Sequence, residues 1–208
     1  FKSGVFNLNN QVVPPVNPEI LDAYEVGFKS DWFDGRMRLN MAGFYYDYSD
    51  IQLVVRTAGT SQILNAAAAE MYGIDTEFLA MPTDDLTLRA GLNLLNAEYT
   101  SFPNAPGTFP SPATCGPPPG TLPGPRTGGN TTCPIDASGN DLIRAPDLTM
   151  NLGATYEWGF NTGTLTADVG YYYNDGFYFE PDNRVRQDAY ETVSAQLAWA
   201  PTDESWRI

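Results

Sequence analysis

LTMNLGATYEWGFNTGTLTADVGYYYN, residues 148–174, alternates apolar and polar residues on both sides of a short break. Leu148, Met150, Leu152, Ala154, Tyr156 and Trp158 take every second position, with Thr149, Asn151, Gly153, Thr155 and Glu157 between them. After the break Leu165, Ala167, Val169, Tyr171 and Tyr173 alternate with Thr164, Thr166, Asp168, Gly170 and Tyr172. Successive side chains of a β-strand point to opposite faces, so each class occupies its own face of a strand pair. The fold then turns on what the apolar face meets.

The same unit recurs along the chain. Tyr24, Val26, Phe28, Ser30 and Trp32 alternate with Glu25, Gly27, Lys29 and Asp31. A turn at Phe33-Asp34-Gly35-Arg36 follows, where Asp-Gly supplies the positive φ of a tight hairpin, and residues 37–55 run back. Residues 71–81 and 86–99 form the next pair around Pro82-Thr83-Asp84-Asp85. After the opening pair come residues 189–199, a turn at 201–204 and a further strand from Ser205. The pattern predicts an all-β fold of four hairpins and about eight antiparallel strands. A helical period shows only over Ala66–Met71, too short to stand alone.

Connections alternate in length. The turns at 33–36, 82–85, 159–162 and 201–204 are short, whereas the links at 57–64, 101–145 and 180–187 are longer. The middle link holds ten of the seventeen prolines, which predicts a segment without regular structure, and no proline falls inside a predicted strand. Short turns at one end and long loops at the other match an outer-membrane barrel, with 101–145 as a long extracellular loop. Trp32, Trp158, Trp199 and Trp206 all lie within two residues of a short turn. Indoles prefer the headgroup layer, so these read as one aromatic girdle. Tyr45, Tyr46, Tyr48, Tyr99, Tyr171–Tyr173 and Phe177–Phe179 read as the second.

The apolar face is then predicted to meet lipid. Glu25, Lys29, Asp31, Arg38, Asp75, Glu77, Arg89, Asn93, Glu157 and Asp168 fall on the other face, toward a lumen. A soluble β-sandwich also accounts for the alternation, though not for a tryptophan at each turn. The sequence opens at Phe1 and stops at Ile208 in mid-pattern, which predicts a partial barrel rather than a complete one.

Composition excludes several functions. A net charge of −14 without a basic stripe argues against a nucleic-acid partner. There are no histidines, which removes Ser-His nucleophilic devices and the commonest transition-metal ligand. Asp47 and Asp50, or Asp84 and Asp85, are paired carboxylates, but the second pair sits in a turn where Asp is ordinary. Asp136, Asn140 and Asp141 miss the EF-hand spacing, and Asn130-Thr131-Thr132 is an isolated sequon. No enzyme activity, catalytic residue, metal site or cofactor is expected. Cys115 and Cys133 bracket the centre of the long loop, and in an oxidising compartment they are expected to form a disulfide.

A set of spaced motifs adds a family resemblance. Asn17-Pro18-Glu19 leads into Ala23-Tyr24-Glu25-Val26-Gly27-Phe28-Lys29, then Phe44-Tyr45-Tyr46-Asp47-Tyr48-Ser49-Asp50-Ile51-Gln52, then Asn65-Ala66-Ala67 and Tyr72-Gly73-Ile74-Asp75-Thr76-Glu77. In that order and spacing, continued by Pro82–Leu88, Ala97-Glu98-Tyr99 and Ala145-Pro146, the chain resembles the TonB-dependent outer-membrane receptors over nearly its whole length. The resemblance implies that residues 1–208 are a late part of a barrel of about 22 strands. It also implies a plug domain, coupling to the TonB complex, and a ferric siderophore or similar iron chelate as ligand. These residues contain no plug, no TonB box and no final strand ending in an aromatic residue.

Ligand capture is expected at the outer loops. Arg126, Arg144, Arg184 and Arg186 could bind carboxylate or catecholate oxygens, and Phe177, Tyr178 and Phe179 could stack on an aromatic ligand. The arginines could instead pair with Asp182, Asp188 or lipopolysaccharide phosphates. Three functions remain open from sequence: an energised importer in the bacterial outer membrane, a porin or adhesin barrel, and a soluble β-rich carbohydrate-binding module.

Overall fold

The computed structural model describes residues 2–4, 15–57, 60–111, 114–116, 128–203 and 205–206. Among the described residues there are nine strands: β1 (Ile20–Trp32), β2 (Met37–Thr57), β3 (Thr60–Ala80), β4 (Leu86–Ser101), β5 (Ala105–Pro110), β6 (Asn130–Ile135), β7 (Leu148–Phe160), β8 (Gly163–Tyr178) and β9 (Arg186–Pro201). Seven of them form one sheet in the order β1-β2-β3-β4-β7-β8-β9, and β5 pairs with β6 separately. Every pairing is antiparallel. The sheet is an open section of wall, with β1 and β9 at its edges.

The register keeps two faces coherent across all seven strands. Directly opposed residues share a face. One such row runs Ala90, Leu152, Tyr171, Val193 from β4 to β9. One residue along, the opposite face carries Asp31 against Arg38 and Glu77 against Asn40. All ten residues assigned to a lumen from sequence fall on this second face.

Among the described residues no second layer covers the apolar face, unlike the arrangement of a sandwich. Ile74 and Leu152 lie on interior strands, yet each is 44 % exposed. Among the described residues the large, fully buried side chains are Phe102 and Cys133, and both belong to the long loop rather than to the wall. Exposed apolar surface of this extent marks a face suited to an apolar neighbour.

Three opposed rows mark one boundary of that apolar face. Val26, Gly43, Ile74, Leu94 and Leu148 form an apolar row; Tyr24, Tyr45 and Tyr72 form the next; Asp22, Asp47, Glu70 and Glu98 form the third. The rows step by about 7 Å, two residues along a strand. The other boundary is aromatic, with Tyr156 and Trp158 rings 4.6 Å apart and Phe160 and Trp199 rings 5.8 Å apart. From Trp32 to Tyr24 is about 26 Å along β1, or about 20 Å along the normal at a 40° tilt, close to the apolar band of a membrane barrel.

Several sequence expectations are corrected. Tyr46, Tyr48, Tyr99 and Tyr172 face the polar side, so the loop-end girdle consists of Tyr24, Tyr45, Tyr72, Tyr171 and Tyr173 instead. The link 57–64 is mostly strand: β2 and β3 stay paired out to Thr57 opposite Thr60, and residues 58–59 lie outside the described residues. Ala66–Met71, whose helical period is too short to stand alone, is part of β3, in keeping with the all-β expectation. Residues 205–206 are not strand, and 207–208 lie outside the described residues, so seven wall strands stand where about eight were expected.

The proline-rich link also contains regular structure. β5 and β6 pair with Pro106 directly opposite Pro134. Lacking an N–H, each proline must occupy a place where its ladder bond is not needed, which a two-stranded ribbon with free edges provides. The alternation in connection length holds for the links β4–β7 and β8–β9, which share one end of the sheet while the short turns share the other; the β2–β3 connection lies at the long-link end but is itself short.

At the turn end, Phe33, Asp34 and Gly35 all have positive φ (55°, 54° and 84°). Arg36 ties this turn to the next. Its guanidinium pairs with Asp84 and its carbonyl accepts the Met81 N–H at 2.7 Å.

Candidate functional site

The motifs that carried the resemblance converge at the loop end. A register shift between Tyr48 and Ile51, with Asp50 at φ 55°, turns Gln52 toward the segment before β1. Glu19 is buried there. Its carboxylate accepts the Gln52 N–H at 2.7 Å, the Tyr48 hydroxyl at 2.9 Å and the Lys2 ammonium at 3.4 Å. The Gln52 amide donates to the Asn17 carbonyl at 2.9 Å and to Ser3 at 3.0 Å. Asn65 Nδ2 donates to Asn17 at 3.0 Å and to Asp50 at 2.7 Å, while its Oδ1 accepts the Asn17 N–H at 2.6 Å. Asn-Pro-Glu, Asp-Ile-Gln and Asn-Ala are thus three parts of one clasp. Burial pushes the Glu19 carboxyl upward, but the Gln52, Tyr48 and Lys2 donors outweigh it and hold it below the ordinary glutamate value.

The glycine of Tyr72-Gly73-Ile74 has a similar explanation. A Cβ on Gly73 would collide with the Leu94 carbonyl and the Phe44 ring, which covers it from the neighbouring strand.

The long loop folds back over the polar face of the wall. Phe102, Ala105 and Ala137 from the loop pack with Ile51, Ala67, Ala69 and Tyr99 from β2, β3 and β4. The small alanines of β3 let the loop approach the sheet. Cys115 and Cys133 are joined by a disulfide with Cα atoms 5.1 Å apart, anchoring the loop to β6.

The β8–β9 loop locks onto this body. Asp182 is buried and accepts the Thr108 N–H at 2.8 Å and the Arg184 N–H at 3.2 Å. Asn140 donates to the Pro181 carbonyl at 2.7 Å, Asn183 to the Asp141 carbonyl at 3.3 Å, and the Arg144 N–H to the Tyr178 carbonyl at 2.8 Å. The two loops form one hydrogen-bonded cap.

The arginines expected at the capture site take different places. Arg126 lies outside the described residues. Arg144 has φ 56° at the exit of the long loop. Arg184 lies over the Phe109 ring at 4.5 Å and donates to the Thr108 carbonyl at 3.1 Å, so it joins the loops to each other. Arg186 lies over Tyr178 at 5.5 Å and donates to the Asp175 carbonyl at 3.3 Å. Phe177 and Phe179 meet edge to face at 5.1 Å. The structure therefore brings Arg186 to Tyr178, but sends Arg184 to Phe109.

Asp182, Thr108 and Phe109 were missed as cap residues. The Asp-Asn pair after Pro181 is an Asx-turn signal and could have marked Asp182 as a local acceptor. Nothing local could have named Thr108 as its partner.

Electrostatically the cap is acidic around Arg186. Burial raises the Asp147 carboxyl, as do Asp141 and Asp175, while Arg186 pulls it down. Asp136 is held low by the Ser138 hydroxyl and N–H, an ordinary turn arrangement. Among the described residues no group of three or more carboxylate or thiol side chains is placed to hold a metal ion.

On the polar face, Arg38 donates to Asp31 at 2.7 Å. Arg89 pairs with Asp168, which also accepts the Thr155 hydroxyl at 2.6 Å. The first pair joins neighbouring strands, whereas the second reaches from β4 across Gly153 of β7 to β8, and together they account for part of the charge on this face.

The architecture has solved counterparts. The ferric yersiniabactin uptake receptor FyuA from Yersinia pestis superposes with a TM-score of 0.66 at 19 % identity, over 91 % of this chain and 24 % of its own. The siderophore receptor PiuA from Acinetobacter baumannii gives 0.62 at 21 % identity, over 95 % and 24 %. BauA, the ferric preacinetobactin receptor of the same species, gives 0.61 at 15 % identity, over 91 % and 24 %. The chain therefore spans about a quarter of the length of each of these receptors. At such identities the likeness establishes the fold. The family described as TonB dependent receptor-like, beta-barrel, matches residues 2–208, and the chain belongs to that family.

Proposed function

We propose that residues 1–208 form part of the barrel wall of a bacterial outer-membrane receptor that imports a ferric siderophore or similar iron chelate. The observation that carries this reading is the pair of coherent faces. An apolar face bounded by aromatic rows suits lipid, and a charged face capped at one end suits a lumen. Family membership supports a receptor role rather than an enzymatic one. The likeness to FyuA, PiuA and BauA supports the ligand class.

In this reading the loops 101–145 and 180–187 face outside and the short turns face the periplasm. Partners are outer-membrane lipid and lipopolysaccharide, the chelate, and the TonB complex acting through a plug domain outside these residues. Arg184 and Arg186 remain exposed. Their unused N–H groups, with Phe177, Tyr178 and Phe179, offer a landing point for an anionic chelate.

Uptake tests the proposal. Deleting the full-length receptor should abolish TonB-dependent accumulation of one radiolabelled ferric chelate among a panel, and re-expression should restore it. Unchanged accumulation across the panel would remove the ligand assignment. Protease treatment of intact cells tests orientation: cleavage at 82–85 with protection of 101–145 would reverse it.

A further inference from the structure

The polar face of the wall changes character along its height. Toward the turns it is charged, with Arg38 opposite Asp31, Glu77 opposite Asn40, and Arg89 reaching Asp168. Toward the loops two opposed rows carry apolar and aromatic groups instead. Phe44, Gly73 and Leu95 form one of them, and Tyr46, Met71 and Ala97 form the next. The row beyond, Tyr48, Ala69 and Tyr99, already packs with the cap. Phe44, Tyr46, Met71 and Leu95 stay partly exposed. They lie on β2, β3 and β4, strands with neighbours on both sides, so this floor is complete within the chain.

The rings of the floor are held in place. Phe44 lies over Gly73, where a Cβ would collide with it, and Tyr46 stacks on Phe44 with ring centres 5.0 Å apart and planes inclined by 27°. The Tyr46 hydroxyl donates to Glu25 on the next strand, which fixes the second ring. Neither row contains an arginine or lysine. The floor therefore presents ring surface and a thioether, groups that recognise an aromatic neighbour rather than a charge. It spans about 10 Å across three strands and about 7 Å over two rows, room for one benzenoid ring. Apolar surface on an otherwise polar face marks a contact site. Its place beside the cap sets it next to the outer loops.

Resting on the reading of this chain as part of an iron-chelate importer, we infer that the Phe44–Tyr46 floor seats an aromatic ring of the chelate. The ligand then belongs to the catecholate or phenolate class. Its ring stacks on the two side chains, and Met71 packs against the ring edge.

Equilibrium binding of two anionic ferric chelates, a tris-catecholate and citrate, to the full-length receptor separates ring recognition from charge. The catecholate should bind at least about tenfold more tightly. Phe44→Leu and Tyr46→Leu should each weaken catecholate binding roughly two- to tenfold, the scale of one aromatic pair, and leave citrate unchanged. Tyr46→Phe keeps the ring and should keep the affinity. Heat-modifiable migration identifies the variants that have assembled, and either leucine variant suffices for the comparison. Equal affinity for the two chelates, or catecholate binding indifferent to loss of the rings, would overturn the inference while leaving the importer reading intact. Binding of neither chelate would overturn the iron-chelate reading and the inference with it.

Discussion

The wall and its outer cap bury apolar surface in opposite ways. The wall turns Val26, Ile74, Leu152 and Val193 to one face, and none of the described residues forms a second layer over them. The cap is built differently: Phe102, Ala105 and Ala137 pack on Ile51, Ala67, Ala69 and Tyr99 of the wall's polar side, with a disulfide and a buried carboxylate with its donors in place. The difference teaches that one chain is built for two solvents. The apolar face of the wall relies on the surrounding medium for its hydrophobic stabilisation, whereas the cap buries its apolar side chains against the loop end of the wall's polar side.

The largest contrast should come from charge placed on the two faces of one strand. Leu152→Arg puts a guanidinium on the apolar face and is expected to cost roughly 2–4 kcal/mol, impairing assembly. Asn151→Arg, one residue away, faces the polar side and should assemble nearly normally. Heat-modifiable migration of the two variants measures the difference, and equal defects would erase the distinction between faces.

Breaking the disulfide should damage the cap and spare the wall. Cys115→Ser with Cys133→Ser releases a loop with a sequence separation of 18 residues. The expected loss is about 3 kcal/mol on the chain-entropy account, confined to the cap. Faster amide exchange in residues 105–110 and 130–135, with unchanged protection in β7 and β8, would match. Loss of protection across the wall would mean the two regions are not separable.

The clasp lies between the two regions and should be acid-sensitive. Glu19→Ala leaves the Gln52 N–H and the Tyr48 hydroxyl without their acceptor, at a cost of about 1–3 kcal/mol. The sign of the pH effect follows from the lowered carboxyl. Folding holds Glu19 below its ordinary value of 4.5, so its contribution is complete above that value and is lost as pH falls through the folded one. Acid unfolding of Glu19→Gln should show a weaker pH dependence than that of the unsubstituted protein.

The smallest expected effect belongs to the join between the loops. Arg184→Gln removes the guanidinium over Phe109 and the bond to Thr108, worth roughly 0.5–1 kcal/mol at an exposed site. Proteolysis of residues 180–187 should quicken slightly with no change in assembly. If Arg184→Gln with Arg186→Gln also weakens uptake of an anionic chelate, more so at low ionic strength, the same arginines serve capture as well as closure.

What could be read from sequence divides along the same line. Wall residues such as Leu152 and Asn151 announce their faces because strand geometry repeats every two residues and the medium acts on every position alike. The tryptophans mark the turn end for the same reason. Tyr46 and Tyr48 were misplaced because tyrosine suits both an interface and a hydrogen bond to a carboxylate, which they make to Glu25 and Glu19. In the cap, contacts join residues far apart in sequence: Thr108 meets Asp182 and Phe102 meets Ala137 through no local pattern. Ten prolines suggested irregularity there, yet the β5–β6 ribbon accommodates Pro106 and Pro134. The Asn-Pro-Glu, Asp-Ile-Gln and Asn-Ala motifs were visible as a spaced pattern, but their meeting in one clasp depends on the bulge at Ser49–Asp50.

The two-solvent account is tested most directly by spin labels placed singly at residues 150 through 154 of the full-length receptor in bilayers. Collision rates with oxygen, which partitions into lipid, and with a water-soluble nickel complex should alternate in opposite phase. Oxygen access should peak at Met150, Leu152 and Ala154, and fall at Asn151 and Gly153. Rates that do not alternate, or that alternate with oxygen highest at Asn151 and Gly153, would contradict the account.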